Sequence, residues 1–198
     1  MAAVGRVDNV VVLSGELFDA IEVNAARTGN HKRAAVRMSR LAVQATAGGM
    51  SRAEAHMRAG EQWLLADDPA EAVEQFEKAI ADRGPTFDDP RVSLARAMFT
   101  LGRTEDADAL LRAVRDSGAR TLPRTCDLVA ELLIEQGDFP AALDWATAGV
   151  DAILSSGEDR DELQLLLRLR YRLRVDLGMP EDDYDKMLDK KAGPAAGR

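Results

Sequence analysis

The sequence predicts an all-α protein in which helical hairpins are stacked one on the next, an arrangement called an α-solenoid. Three observations predict this fold class. Aromatic residues make up only 5 % of the 198 residues, and the 46 % that are hydrophobic are carried by Ala, Leu and Val; this mixture favours closely packed helices over a β-sandwich. Apolar positions recur at helical spacing in one segment after another. The chain also repeats itself at an interval of 35 residues.

Two series of small residues mark this repeat. The first series lies five residues after a turn in each repeat. The second series lies twelve residues before the first. Small side chains at paired positions let the two helices of a hairpin approach closely. We therefore expect Gly60 to face Ala72, Ala95 to face Ala107, and Ala130 to face Ala142.

The first complete repeat shows how its helices begin and end. Ser51-Arg52-Ala53-Glu54 has the form of a capping box that opens the first helix. Asp68-Pro69 begins the second helix, because proline is favoured at the first helical position. Gly84-Pro85 ends it. Three such repeats are predicted over residues 51–157.

Residues 15–50 are predicted to form a further, degenerate hairpin. Its first helix would bury Phe18, Ile21 and Ala25, and its second would bury Ala34, Met38 and Leu41. Glu22 lies where a small residue is expected, and Ala47-Gly48-Gly49 breaks the interval of 35 residues. Residues 1–14 are predicted to form an extended N-terminal segment.

The C-terminal part allows two interpretations of its pattern. Residues 167–175 alternate Leu, Tyr or Val with Arg, as a half-buried strand would, whereas Leu163, Leu166 and Leu167 keep helical spacing. A lone strand would leave its backbone groups without partners, so we expect a helix over 160–177 and no sheet. A short helix over 181–189 completes a helix pair at 158–189, and 190–198 are predicted to be a disordered tail.

The repeats resemble the tetratricopeptide repeat (TPR), a helix–turn–helix unit of about 34 residues. The resemblance rests on the small residues of Gly60–Ala79 and Ala130–Ala142 and on Gly137-Asp138-Phe139 in the turn. It implies a right-handed α-solenoid with C-terminal capping helices that binds proteins. The C-terminal end is also similar to that of some actinobacterial TPR proteins with a SEC-C zinc motif, but the cysteine-rich motif itself is absent.

Candidate catalytic and metal-binding residues are few. The single cysteine, Cys126, is expected to be a buried structural thiol; His56 is expected to be buried as well, and His31 to face solvent. Pairs of carboxylates precede predicted helices, where their negative charge interacts favourably with the helix dipole. No nucleotide-binding, protease or esterase motif is present. We therefore expect no enzymatic activity, no cofactor and no bound metal.

The charge of the chain is uneven. The net charge is −8, which disfavours nonspecific binding of nucleic acid by the whole chain. Residues 23–53, by contrast, hold six Lys or Arg and no acidic residue. No apolar run is long enough to span a membrane, and we expect a cytoplasmic protein.

Two functions from different classes follow. The resemblance implies a noncatalytic scaffold or adaptor that binds a peptide or helix in the concave groove of the array. The alternative is a nucleic-acid- or ribosome-associated factor that uses the basic helix 31–46, with a basic patch of Arg27, Lys32, Arg33, Arg37 and Arg40. A solenoid end with an uncapped apolar face could also self-associate.

The resemblance also implies which residues line the groove. They lie on the first helix of each repeat: Glu54, Met57, Glu61 and Leu64; Asp89, Val92, Arg96 and Phe99; Arg124, Asp127, Glu131 and Ile134. Because Glu61, Asp127 and Glu131 would repel acidic chaperone tails, we expect a ligand with a basic residue and an apolar anchor near Met57, Val92 and Phe99. In the alternative arrangement, the C-terminal helices fill the groove.

Overall fold

The computed structural model describes residues 11–118, 122–157 and 160–189, so the predicted tail at 190–198 and most of the predicted N-terminal segment lie outside the described residues. The described residues form two short strands and ten helices. The strands are β1 (Val11–Leu13) and β2 (Ala45–Gly48). The helices are α1 (Gly15–Thr28), α2 (His31–Gln44), α3 (Arg52–Leu65), α4 (Pro69–Asp82), α5 (Pro90–Thr100), α6 (Thr104–Asp116), α7 (Pro123–Glu135), α8 (Phe139–Ser156), α9 (Arg160–Asp176) and α10 (Asp185–Asp189).

The predicted all-α fold class is confirmed, since helices account for most of the described residues. Residues 167–175 lie inside α9, so the helical interpretation of this segment is confirmed and the strand interpretation is wrong. Burial does not follow the alternating pattern, because Arg170 and Arg174, which strand periodicity would place with solvent, are both buried, whereas Tyr171 and Val175 are exposed. The chain divides into two compact units after Leu110, and each is described separately below.

The expectation of no sheet is wrong, because β1 and β2 pair as a two-stranded parallel ladder. Val11 pairs with Ala45, Val12 with Ala47 and Leu13 with Gly48, which leaves Thr46 as an extra residue in β2. A parallel pair needs a long connection between its strands, and the whole α1–α2 hairpin provides one here. The stretch that breaks the repeat interval therefore provides backbone partners for the residues before α1.

Short polar side chains begin several of the helices, as the sequence predicts. Ser51 Oγ accepts a hydrogen bond of 2.8 Å from the backbone N–H of Glu54, and Asp138 accepts one of 3.1 Å from Ala141. Asp68 precedes α4 as expected, but its side chain makes no capping hydrogen bond and accepts one from Lys32 at 3.2 Å instead. An ion pair with α2 thus replaces the cap that the sequence predicts.

In the first unit, each hairpin packs against the first helix of the next. Helix α3 contacts α2 and α1, and α5 contacts α4 and α3, so neighbouring first helices lie side by side. Buried residues of β1, α1, α2 and α3 join in one apolar cluster that includes Leu13, Phe18, Met38 and Ala59. The α1–α2 hairpin therefore shares an apolar core with α3, the first helix of the repeat that follows it.

Gly60 lies at a close contact between α3 and α4. A Cβ added to Gly60 would lie 2.5 Å from Cε1 and 2.8 Å from Cδ1 of Phe76, whose side chain is fully buried. Ala72, the predicted partner of Gly60, is also fully buried, but the atoms nearest to that Cβ belong to the Phe76 ring. The small residue is required here by an aromatic ring rather than by another small residue.

In the second unit, α9 contacts both α8 and α7, and the short α10 packs on α9. This repeats the relation of α3 to α2 and α1 in the first unit. Gly149 of α8 lies at a close contact, since a Cβ there would be 2.8 Å from Leu166 Cδ1 and 2.9 Å from Cys126 Cβ. Helix α9 therefore continues the packing order of the repeats beyond α8.

A buried ionic cluster fixes the segment around α10 to α9. Arg170 donates from Nη1 to Asp182 Oδ1 at 3.1 Å and to Asp185 Oδ1 at 3.3 Å, and from Nε to Thr147 Oγ1 at 3.1 Å. Arg174 Nε donates to Asp185 Oδ2 at 3.1 Å. The hydrogen bond from Arg170 is the main cause that lowers the pKa of Asp182 to about 2.

Candidate protein-binding surfaces

The first unit carries an acidic surface made by Glu22 of α1, Glu54 and Glu61 of α3, and Asp88 just before α5. Glu61 is an exposed residue, yet the pKa of its carboxyl group is raised to about 7, chiefly because surrounding protein removes water from that group. The negative charges of Glu22, Asp88 and Glu54 contribute to the same increase. The carboxylates of this surface therefore repel one another, and the surface has an excess of negative charge.

Arg58 of α3 offsets part of this charge. Its Nε donates to Glu22 Oε1 at 2.7 Å and its Nη2 donates to Asp19 Oδ1 at 2.6 Å, while the guanidinium lies 5.5 Å from the centre of the Phe18 ring. These contacts tie α3 to α1. Arg58 lowers the pKa of Glu61 too weakly to cancel the effect of the carboxylates and of burial.

The residues predicted to line the groove differ in accessibility. Met57 and Val92 are 2 % and 3 % exposed, so they belong to the packing between helices rather than to the accessible surface. Asp89 is partly buried, caps α5 and forms an ion pair with Arg91. The partly buried members are Glu54, Leu64, Asp89, Arg96, Phe99, Asp127 and Ile134, and the exposed members are Glu61, Arg124 and Glu131.

Three residues of this surface were missed from the sequence. Glu22, which lies where the repeat pattern predicts a small residue, and Asp88 both raise the pKa of Glu61. Arg58 forms an ion pair that joins Glu22 to α3. Glu22 and Arg58 lie 36 residues apart, close to the repeat interval, and opposite charges at that spacing were the available signal. In stacked repeats, such a pair lies on neighbouring first helices.

A cleft of about 410 Å³ lies between α7 and α9 in the second unit. Asp127 and Glu131 of α7 line one side of this cleft, and Leu165, Arg168 and Arg172 of α9 line the other. Burial and the charge of Glu131 raise the pKa of Asp127. In this unit, the predicted groove residues thus face arginines of the C-terminal helix.

The predicted basic patch is divided into two groups. Arg33, Arg37 and Arg40 are exposed on one face of α2. Lys32 pairs with Asp68 and lies 5.7 Å from the Trp63 ring centre, and Arg27 donates to Asn24 Oδ1 at 3.3 Å. The expectation that His31 faces solvent is wrong: the residue is partly buried, and its Nδ1 lies 3.0 Å from Gln62 Oε1.

The remaining chemically reactive residues are part of the core. Cys126 is fully buried, and His56 is buried with its Nδ1 2.9 Å from Gln75 Oε1; burial lowers the pKa of His56. Across the described residues, no three His, Cys, Asp or Glu side chains are grouped so that they could hold a metal ion. No helix in that part of the chain is long and apolar enough to cross a membrane.

Within each unit, a helical hairpin packs on the first helix that follows it, and this packing is typical of helical-repeat proteins. Comparison with family models gives the class of repeat: residues 64–124 match one tetratricopeptide repeat model and residues 124–146 match another. Residues 64–146 of the chain therefore contain tetratricopeptide repeats. Repeats of this kind generally mediate protein–protein interactions, and proteins built from them are typically noncatalytic scaffolds. No curated protein and no solved structure matched the chain.

Proposed function

We propose that this protein is a noncatalytic scaffold that binds a peptide or helix through the first helices of its repeats, with a basic side chain of the ligand on the acidic surface. The observation that carries this proposal is the grouping of four carboxylates, those of Glu22, Glu54, Glu61 and Asp88, on one surface where Arg58 is already bound to Glu22 and Asp19. The raised pKa of Glu61 is consistent with this excess of negative charge. A Lys or Arg placed beside Glu61 would relieve the repulsion among the four carboxylates. The electrostatic attraction of such a cation is therefore stronger here than beside an isolated glutamate.

The same charges give selectivity against acidic ligands. A peptide tail rich in Asp or Glu would bring further negative charge next to Glu22, Glu54 and Glu61, and like-charge contacts are unfavourable. Because Met57 and Val92 are buried, an apolar side chain of the ligand would contact Leu64 or Phe99, which are partly buried.

Two labelled synthetic peptides test the proposal, one alternating Lys and Leu and the other alternating Glu and Leu, titrated against the full chain by fluorescence anisotropy. We expect the basic peptide to bind, and its affinity to increase as the pH rises from 6 to 8, because ionised Glu61 attracts the cation. Glu61→Gln should weaken this binding and reduce its pH dependence.

The matched control is Glu77→Gln, the same change at an exposed position of α4. It should leave binding unchanged. Unchanged affinity of the basic peptide for the Glu61→Gln variant, or equal loss of this affinity in both variants, would contradict the proposal. Tight binding of the acidic peptide that is abolished by Arg96→Glu would show that the groove has the opposite preference.

A further inference from the structure

A second cleft lies between α1 and α2, and its lining comes from these helices and from Asn30 between them. Its volume is about 310 Å³. The floor is apolar, with Leu17, Ala20 and Ile21 on α1 and Ala34 on α2. The exposed residues Arg33 and Arg37 of α2 also line the cleft, and so do Asn24 and Asn30.

Arg33 and Arg37, which line this cleft, differ from several other arginines of the chain in their ion pairing. Arg52, Arg58 and Arg91 each form an ion pair with a carboxylate. Arg33 and Arg37 are exposed and form no ion pair with any residue in the described ranges 11–118, 122–157 and 160–189. They lie four residues apart, which places both guanidinium groups on one face of α2. Their positive charge is available to a partner.

We propose that the α1–α2 cleft is a second docking site, which binds an acidic segment of a partner protein. One bulky apolar side chain of that segment enters the cleft, and flanking carboxylates pair with Arg33 and Arg37. The cleft volume suits this occupant, since it is at the lower end of the range of roughly 300–1,000 Å³ for ligand pockets. The amides of Asn24 and Asn30 provide hydrogen bonds for the backbone of the segment.

The observations favour a peptide over a nucleic acid at this site. The cleft has an apolar floor, which a phosphate backbone does not use, and no aromatic residue lines it for base stacking. The exposed carboxylate of Asp19 lies on the adjoining helix face, and the whole chain has a net charge of −8. A long polyanion would meet these negative charges, whereas a short acidic segment with an apolar side chain need not.

This site is independent of the acidic surface and has the opposite charge preference. The proposal therefore adds a second class of partner, and failure of one proposal leaves the other intact. A scaffold with both sites would hold a basic segment of one partner and an acidic segment of another.

Four labelled probes test the site on the full chain by fluorescence anisotropy. They are an acidic 12-residue peptide with one central Leu, the same peptide with Ala at the centre, the same peptide with Lys in place of its acidic residues, and an oligouridine of equal length. We expect the acidic peptide with Leu to bind, and its affinity to fall about tenfold or more, equivalent to about 1.4 kcal/mol, when the central residue is Ala.

Three variants locate the binding. Arg37→Glu should weaken binding of the acidic peptide about tenfold or more. Ala20→Trp should abolish it, because the indole fills the cleft from an exposed position that the core does not use. Arg112→Glu, the same charge reversal at an exposed position of α6, is the matched control and should have no effect. Circular dichroism and thermal unfolding confirm that the variants are folded.

Several outcomes would overturn the proposal. Equal binding of the Leu and Ala peptides would show that the cleft is not used. Tighter binding of oligouridine that is lost in Arg37→Glu would assign the face to nucleic acid. Self-association in sedimentation experiments that is lost in the same variant would assign it to a second copy of the chain. Normal binding of the acidic peptide by Ala20→Trp would also contradict the proposal.

Discussion

Replacing Gly60 by alanine should destabilise the first unit, although alanine is the better helix former. At an exposed position inside a helix, this change would stabilise by roughly 0.5–1 kcal/mol. At position 60, the new methyl carbon would lie 2.5 Å from Phe76 Cε1, well inside van der Waals contact. The ring cannot swing aside freely, because the Phe76 side chain is fully buried.

The magnitude follows from these opposing effects. Overpacking a close-packed core costs roughly 1–3 kcal/mol. After subtraction of the gain in helix propensity, Gly60→Ala should lower the free energy of unfolding by about 0.5–2 kcal/mol. Trimming the ring in the double variant Gly60→Ala/Phe76→Leu should recover part of this loss, so that the two changes are less than additive.

Urea unfolding followed by circular dichroism measures the effect. The matched control is Gly15→Ala in the first turn of α1, where an added Cβ has no atom within 4 Å. This variant should be as stable as the unchanged protein or slightly more stable. If Gly60→Ala is also neutral, or if the double variant loses the sum of both single effects, the packing described between α3 and Phe76 is incorrect.

Three further predictions concern packing and charge. Ala142→Leu should destabilise by roughly 1–3 kcal/mol in the same unfolding assay, because Ala142 is fully buried; unchanged stability would contradict the repeat register. Glu61→Gln should stabilise the protein at pH 8 by up to about 1 kcal/mol, a value discounted for the exposure of Glu61, because its raised pKa makes ionisation unfavourable only in the folded state. At pH 4 the variant should have no effect, and equal effects at both pH values would contradict this reasoning. Asp182→Asn should destabilise the protein by roughly 1–2 kcal/mol at pH 7. This difference in the free energy of unfolding should disappear as the pH falls from 4 to 2, because the lowered pKa of Asp182 means that its stabilising charge is lost on protonation in that range. A difference that persists at pH 2 would show that charge is not the cause.

Local periodicity was sufficient to predict the helices. The repeated small residues, the turn residues and the capping side chain of Ser51 all act within a few positions along the chain, and each appears in the structure. The same holds for α9, where the helical spacing of Leu163, Leu166 and Leu167 indicated the correct element. Such signals are readable because helix formation depends on neighbours three and four residues away.

Contacts between distant residues could not be predicted in this way. The partner of His31 is Gln62 and the partners of Arg58 are Glu22 and Asp19, and nothing in a single sequence specifies which distant polar side chains meet. The strand pair was missed for the same reason, because β1 and β2 are separated by two helices. Burial of Arg170 depends on Asp182 and Asp185, which follow the end of α9.

The pairing of β1 with β2 has a consequence for how the chain folds. The ladder joins the residues on either side of α1 and α2, so it closes a loop that contains the entire first hairpin. Closing such a loop costs entropy before any contact is gained, whereas each helix forms from local contacts. We expect the ladder to form late, after α1 and α2 have docked. Its backbone amides should then exchange with solvent faster than those of the helices that it encloses.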